Sequence, residues 1–221
     1  MENHQKATPG ARRAIYRRQS LWHSHIYVKF LNGTEQAHAV FMETLQGIQE
    51  HVGVQFRFNS PPNGRTAELR IKFHFEYLGL WESQVGTEAL NHPMDEATMH
   101  LSPGFQNWDE DKSLIMHELM HFLGFEHEHQ SPHANIQWRA EEVLKDVRSE
   151  FGLSDDEIWQ NILRQYSTDE VTASPFVVRS IMMYEIQRSW TRDGFAATRN
   201  INLSAIDKLY LRYAYPKNRQ V

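Results

Sequence analysis

The chain has 221 residues, of which 40% are hydrophobic and 12% aromatic, with a formal net charge of −5 and no cysteine. That length supports one large domain or two lobes around a substantial core, and the composition excludes a disordered chain. The mild acidity gives no general attraction to nucleic acid or membrane surfaces, no apolar run approaches the ~18–20 residues of a membrane helix, and disulfides are impossible.

Residues 1–20 read as a basic tail or pro-segment with arginine pairs at Arg12-Arg13 and Arg17-Arg18, polar rather than of the apolar secretory-signal type. Residues 25–31 (His-Ile-Tyr-Val-Lys-Phe-Leu) alternate and are rich in β-branched and aromatic types, which predicts a strand. Asn32-Gly33 turns the chain, and Thr34 caps a helix over 35–51 with Ala37, Val40, Phe41, Leu45 and Ile48 at helical spacing. Residues 52–59 alternate Val52, Val54, Phe56 and Phe58 as a second strand, and Pro61-Pro62-Asn63-Gly64 makes a loop. Leu69, Ile71, Phe73 and Phe75 mark a third strand over 69–75, and residues 96–101 a further one. Asp109–Asp111 then sit where a helix dipole favours acidic side chains, and Ile115, Leu119 and Phe122 form the apolar stripe of that helix.

That helix carries His117-Glu118-Leu119-Met120-His121, followed by Gly124 and His127. His117 and His121 are four apart, so at about 100° per residue they share one helix face and both imidazoles can reach one ion. Glu118 is turned by about a third of a turn, where its carboxylate addresses a metal-bound water without ligating the metal. Gly124 takes positive φ cheaply, so the chain can swing back and bring His127 to a third corner. Three ligands and a fourth open position match a catalytic zinc site, whereas a structural zinc site needs four ligands and no glutamate. His129 and His133 flank this group as hydrogen-bonding neighbours, and His23, His25, His74, His92 and His100 show no paired spacing.

Downstream, residues 139–151 are amphipathic with Gly152 as a stop, and Ser154-Asp155-Asp156-Glu157 is a capping box opening a helix to about residue 163. Ser204-Ala205-Ile206-Asp207 opens a last helix that ends near Tyr213, before Pro216.

The stretch from His117 to His127 resembles the zinc signature of the metzincin metallopeptidases, and Ser180-Ile181-Met182-Met183-Tyr184 resembles their Met-turn. Within that clan the order of motifs over residues 21–216, with Glu128-His129 continuing the zinc motif, is similar to the astacin family. The run 126–132 and the ending 203–207 look more like its microbial members, and the lack of cysteine departs from animal astacins. The resemblance implies an α+β metzincin fold. Its first lobe (21–127) would hold a twisted, mainly parallel mixed sheet with two helices, and its second (128–216) would be smaller, irregular and helical. The cleft would lie between them, with 217–221 as a tail.

It also implies a zinc endopeptidase with one catalytic Zn2+ on His117, His121 and His127, Glu118 as general base, and Met182 beneath the metal. Tyr184 would stabilise the oxyanion and be a possible additional ligand. The strand at 96–101 would form the sheet edge and hold a peptide substrate in extended form. Cleavage after Arg13 would free Ala14 to pair with Glu128. A secreted monomer without nucleic-acid or membrane partners is the expectation, with a cytoplasmic location as the alternative. The competing functional class is a zinc-containing module that captures peptides without cutting them, for which Glu118 would be dispensable.

Overall fold

The computed structural model describes residues 15–76, 79–104 and 108–217. Among these residues the chain forms, in order, β1 (Ile26–Phe30), α1 (Glu35–Gln49), β2 (Phe56–Arg57), β3 (Leu69–Phe73), β4 (Glu82–Ser83), β5 (Met99–Leu101), α2 (Trp108–Phe122), α3 (Ala140–Phe151), α4 (Asp155–Ile158) and α5 (Ala205–Ala214). The sheet order is β2-β1-β3-β5-β4, parallel throughout except for β4, which runs antiparallel to β5. This is the mixed, mainly parallel α+β architecture expected.

Local chemistry sets the element ends. The Thr34 hydroxyl accepts from Ala37 N–H at 3.1 Å and starts α1, whose Ala37, Phe41, Leu45 and Ile48 are buried. The strand expected over 52–59 contracts to β2 because the Gln49 side chain replaces the ladder. Its amide donates to the Val52 and Val54 carbonyls (3.3 and 2.8 Å), and its oxygen accepts from Phe56 N–H (3.1 Å). The strand expected over 69–75 stops at Phe73 for a similar reason, since Asn32 bonds both the N–H (2.7 Å) and the carbonyl (2.8 Å) of Phe73. Gly152 closes α3 at φ 68°, and Ser154 and Ser204 each form a capping box, with Glu157 and Asp207. After α4 the chain continues as a short π-helix over Trp159–Leu163.

One sheet face, with Ile26, Val28, Leu69, Ile71, Phe73, Met99 and Leu101, packs on α1 and on Ile115, Leu119 and Phe122 of α2. A second core gathers Val143, Val147, Ile158, Ile162, Met183 and Trp190 around α3 and α4. The last helix crosses the expected division, because Tyr210, Leu211 and Ala214 of α5 belong to the first core.

Two expectations need correction. The strand at 96–101 is not the sheet edge: β4 covers it, with Glu82 opposite His100 and Ser83 opposite Met99. A two-residue strand is too short to register as alternation, which hides it from sequence periodicity. Residues 15–20 are not a free tail either. Ile15, Tyr16 and Ser20 are buried, and Tyr16 forms antiparallel bridges to both Phe125 and Thr172. Ala14 lies outside the described residues.

Candidate metal centre

α2 presents His117 and His121 one turn apart and ends at Phe122. Gly124 then adopts φ 88°, its N–H donating to the His121 carbonyl at 2.7 Å, while Phe125 N–H donates to the Met120 carbonyl at 3.0 Å. This reversal brings the His127 Nε2 to 3.2 Å from that of His117 and 3.1 Å from that of His121. The spacing fits a dication: zinc–nitrogen bonds of about 2.0–2.1 Å in a tetrahedron imply nitrogen–nitrogen edges of about 3.3–3.4 Å. His117, His121 and His127 are the group of potential metal ligands found among the described residues; His129 and His133 stand outside it.

The ring orientations agree with that use. The His117 Nδ1 lies 2.9 Å from the Ile181 carbonyl and the His121 Nδ1 lies 2.8 Å from the Phe125 carbonyl. Each carbonyl only accepts, so each Nδ1 must carry the proton, leaving the Nε2 lone pairs free to converge. Burial lowers the His117 pKa to about 3 and that of His121 to about 4, and takes His127 well below its ordinary value. The imidazoles are therefore neutral, as ligands must be. His121 is buried while His117 and His127 are partly exposed, so the group faces solvent on one side.

Glu118 is 4% exposed, and its Oε2 has no hydrogen-bond partner among the described residues. Burial first, and the like charge of Glu82 on β4 second, push its pKa up to about 8. A buried carboxylate oxygen beside three converging imidazoles calls for a polar or cationic guest.

The turn at 180–184 is bonded to the residues around the site. Met182 N–H donates to Ser180 Oγ at 3.1 Å and Glu128 N–H donates to the Met182 carbonyl at 2.9 Å, which ties the turn to the ligand loop. Met182 is buried in the first core and Met183 in the second, so the turn bridges both. The partly buried Tyr184 ring stands 5.7 Å from that of His127 and 5.0 Å from that of His129. Its phenol pKa is raised, by burial first and then by Glu150 and Glu185. His129 is buried, with its Nε2 at 3.2 Å from the Asn161 carbonyl.

Sequence reasoning missed Asp207. It reads as a helix cap, yet its carboxylate also accepts from Ser180 Oγ at 2.6 Å and Ile181 N–H at 2.9 Å. Through the Ile181 carbonyl it sets the acceptor that orients His117. The capping-box spacing marks Asp207 as a cap, and nothing local marks its second task. The contact of His74 Nε2 with His100 Nδ1 at 2.8 Å was equally invisible, since parallel strands 26 residues apart create it.

The family model for Astacin, a peptidase family, matches residues 14–201. Among solved structures, one of myroilysin is similar at 29% identity and a TM-score of 0.84, covering 93% of this chain and 100% of that one. A second myroilysin structure gives 26% and 0.66, covering 96% and 97%. High choriolytic enzyme 1, a hatching enzyme zinc-protease from the medaka fish Oryzias latipes, shares the fold at 15% identity and a TM-score of 0.54, covering 95% and 97%. No curated protein matches the sequence.

Proposed function

This chain belongs to the astacin family of peptidases and is a zinc metalloendopeptidase; from that premise we propose how its residues divide the work. His117, His121 and His127 hold one zinc ion through Nε2, Glu118 is the general base, and Tyr184 steadies the developing oxyanion. The observation that carries this reading is the approach of the His127 Nε2 to those of His117 and His121, at 3.2 and 3.1 Å, together with the orphaned buried oxygen of Glu118 next to His117 in the chain. When bound, zinc supplies Lewis acidity, a water that ionises near pH ~7, and a charge that draws Glu118 back toward its carboxylate form.

The substrate peptide lies extended along the outer edge of β4, where backbone groups add a strand to the sheet. Glu118 takes one proton from the attacking water and delivers it to the leaving amine nitrogen, so the carboxylate is regenerated each cycle. The Tyr184 hydroxyl donates a hydrogen bond to the former carbonyl oxygen as it becomes negative, and in the resting site the same oxygen is a possible additional zinc ligand. Residues 21–216 are the catalytic domain, and residues 15–20 fold with it. Residues 1–13 are a removable segment, whose loss would let Ala14 approach Glu128, buried with its Oε1 2.8 Å from Val177 N–H. Export from the cell suits such an enzyme, and no described helix is long and apolar enough to cross a membrane.

The deciding experiment is Glu118→Gln assayed on casein, with bound zinc measured on the same sample. The variant should keep one zinc per chain and lose activity by about 10²–10⁴-fold. Retention of most activity overturns the assigned base. Wild-type protein that binds zinc and peptide but cuts nothing would favour the capture module instead.

A further inference from the structure

Residues 15–17 enter the fold as a short extended segment held on both sides. On one side Glu126 N–H donates to the Ile15 carbonyl at 3.1 Å and Arg17 N–H to the Gly124 carbonyl at 3.4 Å. On the other, Tyr16 and Thr172 exchange backbone hydrogen bonds at 3.0 and 2.9 Å. The segment therefore sits between the ligand loop and the second lobe, pairing with each.

The Arg17 side chain then joins three separate parts of the molecule. Its Nε lies 2.6 Å from Glu126 Oε1, its Nη1 2.7 Å from Glu88 Oε1, and its Nη2 3.1 Å from the Tyr166 hydroxyl. Glu88 belongs to the short helix after β4, Tyr166 to the second lobe, and Glu126 to the ligand loop, one residue before His127. Glu126 is only 5% exposed, so its charge cannot be satisfied by bulk water. Nη1 and Nη2 anchor the planar guanidinium to Glu88 and Tyr166, which fixes its charge against the Glu126 carboxylate as an ion pair through Nε.

The three ligands are not equally secured. His117 and His121 ride on α2, whose position follows from the core stripe of Ile115, Leu119 and Phe122. His127 stands beyond Gly124, outside α2, as the residue that opens the short 3-10 helix Glu128–Gln130, so an error in the connecting loop displaces the third ligand alone. We infer that Arg17 is a positioning residue for the metal site: by clamping Glu126 it sets the loop that aims His127 at the point where the other two imidazoles converge. The inference rests on the three-histidine ligand set proposed above and adds a residue more than a hundred positions away in sequence.

The test is zinc affinity, measured by competition between the folded, zinc-stripped protein and a chromophoric chelator with zinc alone as the added metal. Arg17→Gln should weaken zinc binding by about 10–100-fold, the range typical of lost partners behind a ligand. Arg17→Lys, which keeps the charge on a single donor nitrogen, should fold and recover most of the affinity. Arg17→Gln/Glu126→Gln should lie nearer the wild type than Arg17→Gln, because no buried charge is stranded. Ile48→Val, a truncation in the α1 core, should leave zinc affinity unchanged and so separates site geometry from general stability. Arg17→Gln within about twofold of wild type, or Ile48→Val losing zinc equally, overturns the role of Arg17. Wild-type protein that takes up no zinc overturns the ligand set instead.

Discussion

Asp207 offers the sharpest quantitative test of how the site is built. Its carboxylate is 1% exposed and accepts three hydrogen bonds, from Ser180 Oγ (2.6 Å), Ile181 N–H (2.9 Å) and Ser204 N–H (2.8 Å). In Asp207→Ala all three donors lose their acceptor. Ser204 N–H is only partly buried and can turn to water, but the other two cannot. Stranding a buried donor costs about 1–3 kcal/mol, so the two together destabilise by roughly 2–6 kcal/mol. Asp207→Asn should cost less. Its amide oxygen can keep both N–H donors and its NH2 can donate to Ser180 Oγ, so only the Ser180 hydroxyl loses its acceptor, at about 1–3 kcal/mol. Urea unfolding of the zinc-free protein measures both. The metal site should follow the same order, since the Ile181 carbonyl bonds the His117 Nδ1 at 2.9 Å. Zinc affinity should fall by about 10–100-fold in Asp207→Ala and much less in Asp207→Asn. An alanine variant within about 1 kcal/mol of wild type would refute the reasoning, as would equal damage from both substitutions.

Other sites yield shorter tests. Tyr184→Phe should retain zinc and lower kcat by about 10–10³-fold, the span for one oxyanion donor; an unchanged kcat in peptide hydrolysis removes the tyrosine from the mechanism. Gly124→Ala forces φ 88° on an L-residue and places its methyl 3.1 Å from the Ser20 carbonyl. It should lower stability by about 1–2 kcal/mol or more and loosen zinc, both read from denaturant titrations with and without metal. The buried imidazoles of the zinc-free protein should resist protonation. Burial holds His117, His121 and His129 at about 3, 4 and 3, below the ordinary 6.5, so these three groups bind protons more readily in the unfolded chain. Their own contribution to stability is flat above pH 6.5 and falls as the pH drops toward those values, by about 2 kcal/mol each at pH ~5. Glu118 and Glu128, which burial raises to about 8, act in the opposite sense over the same range, so the unfolding midpoint carries both effects. An NMR titration of the zinc-free protein in which these rings take up protons near the ordinary 6.5 contradicts the burial of neutral imidazoles.

The convergence of His117, His121 and His127 was readable because its geometry is local: two histidines share a helix face and a glycine permits the return. Helix starts at Thr34, Ser154 and Ser204 were readable for the same reason, since a cap and its partner lie within one turn. Strand limits were not, because distant side chains decide them. Gln49 and Asn32 end β2 and β3 by taking backbone groups that alternation alone assigns to a ladder. The run from Ile15 to Trp22, with Ile15, Tyr16, Ser20, Leu21 and Trp22 buried, was disguised by its arginines, whose side chains find partners only in the folded molecule. Asp207 and Arg17 share this property: each acts on a residue that sequence distance hides.

Closure of the first core has a consequence for how the molecule is made. The Tyr215 hydroxyl accepts from Trp22 N–H at 3.2 Å, a contact between residues 193 apart, and donates to the Leu123 carbonyl at 2.6 Å. While α5 is still inside the ribosome, the nascent chain lacks the part that seals the end of the histidine helix. Folding therefore waits for a late, long-range event, and acquisition of a competent peptidase is delayed until translation has carried past that helix.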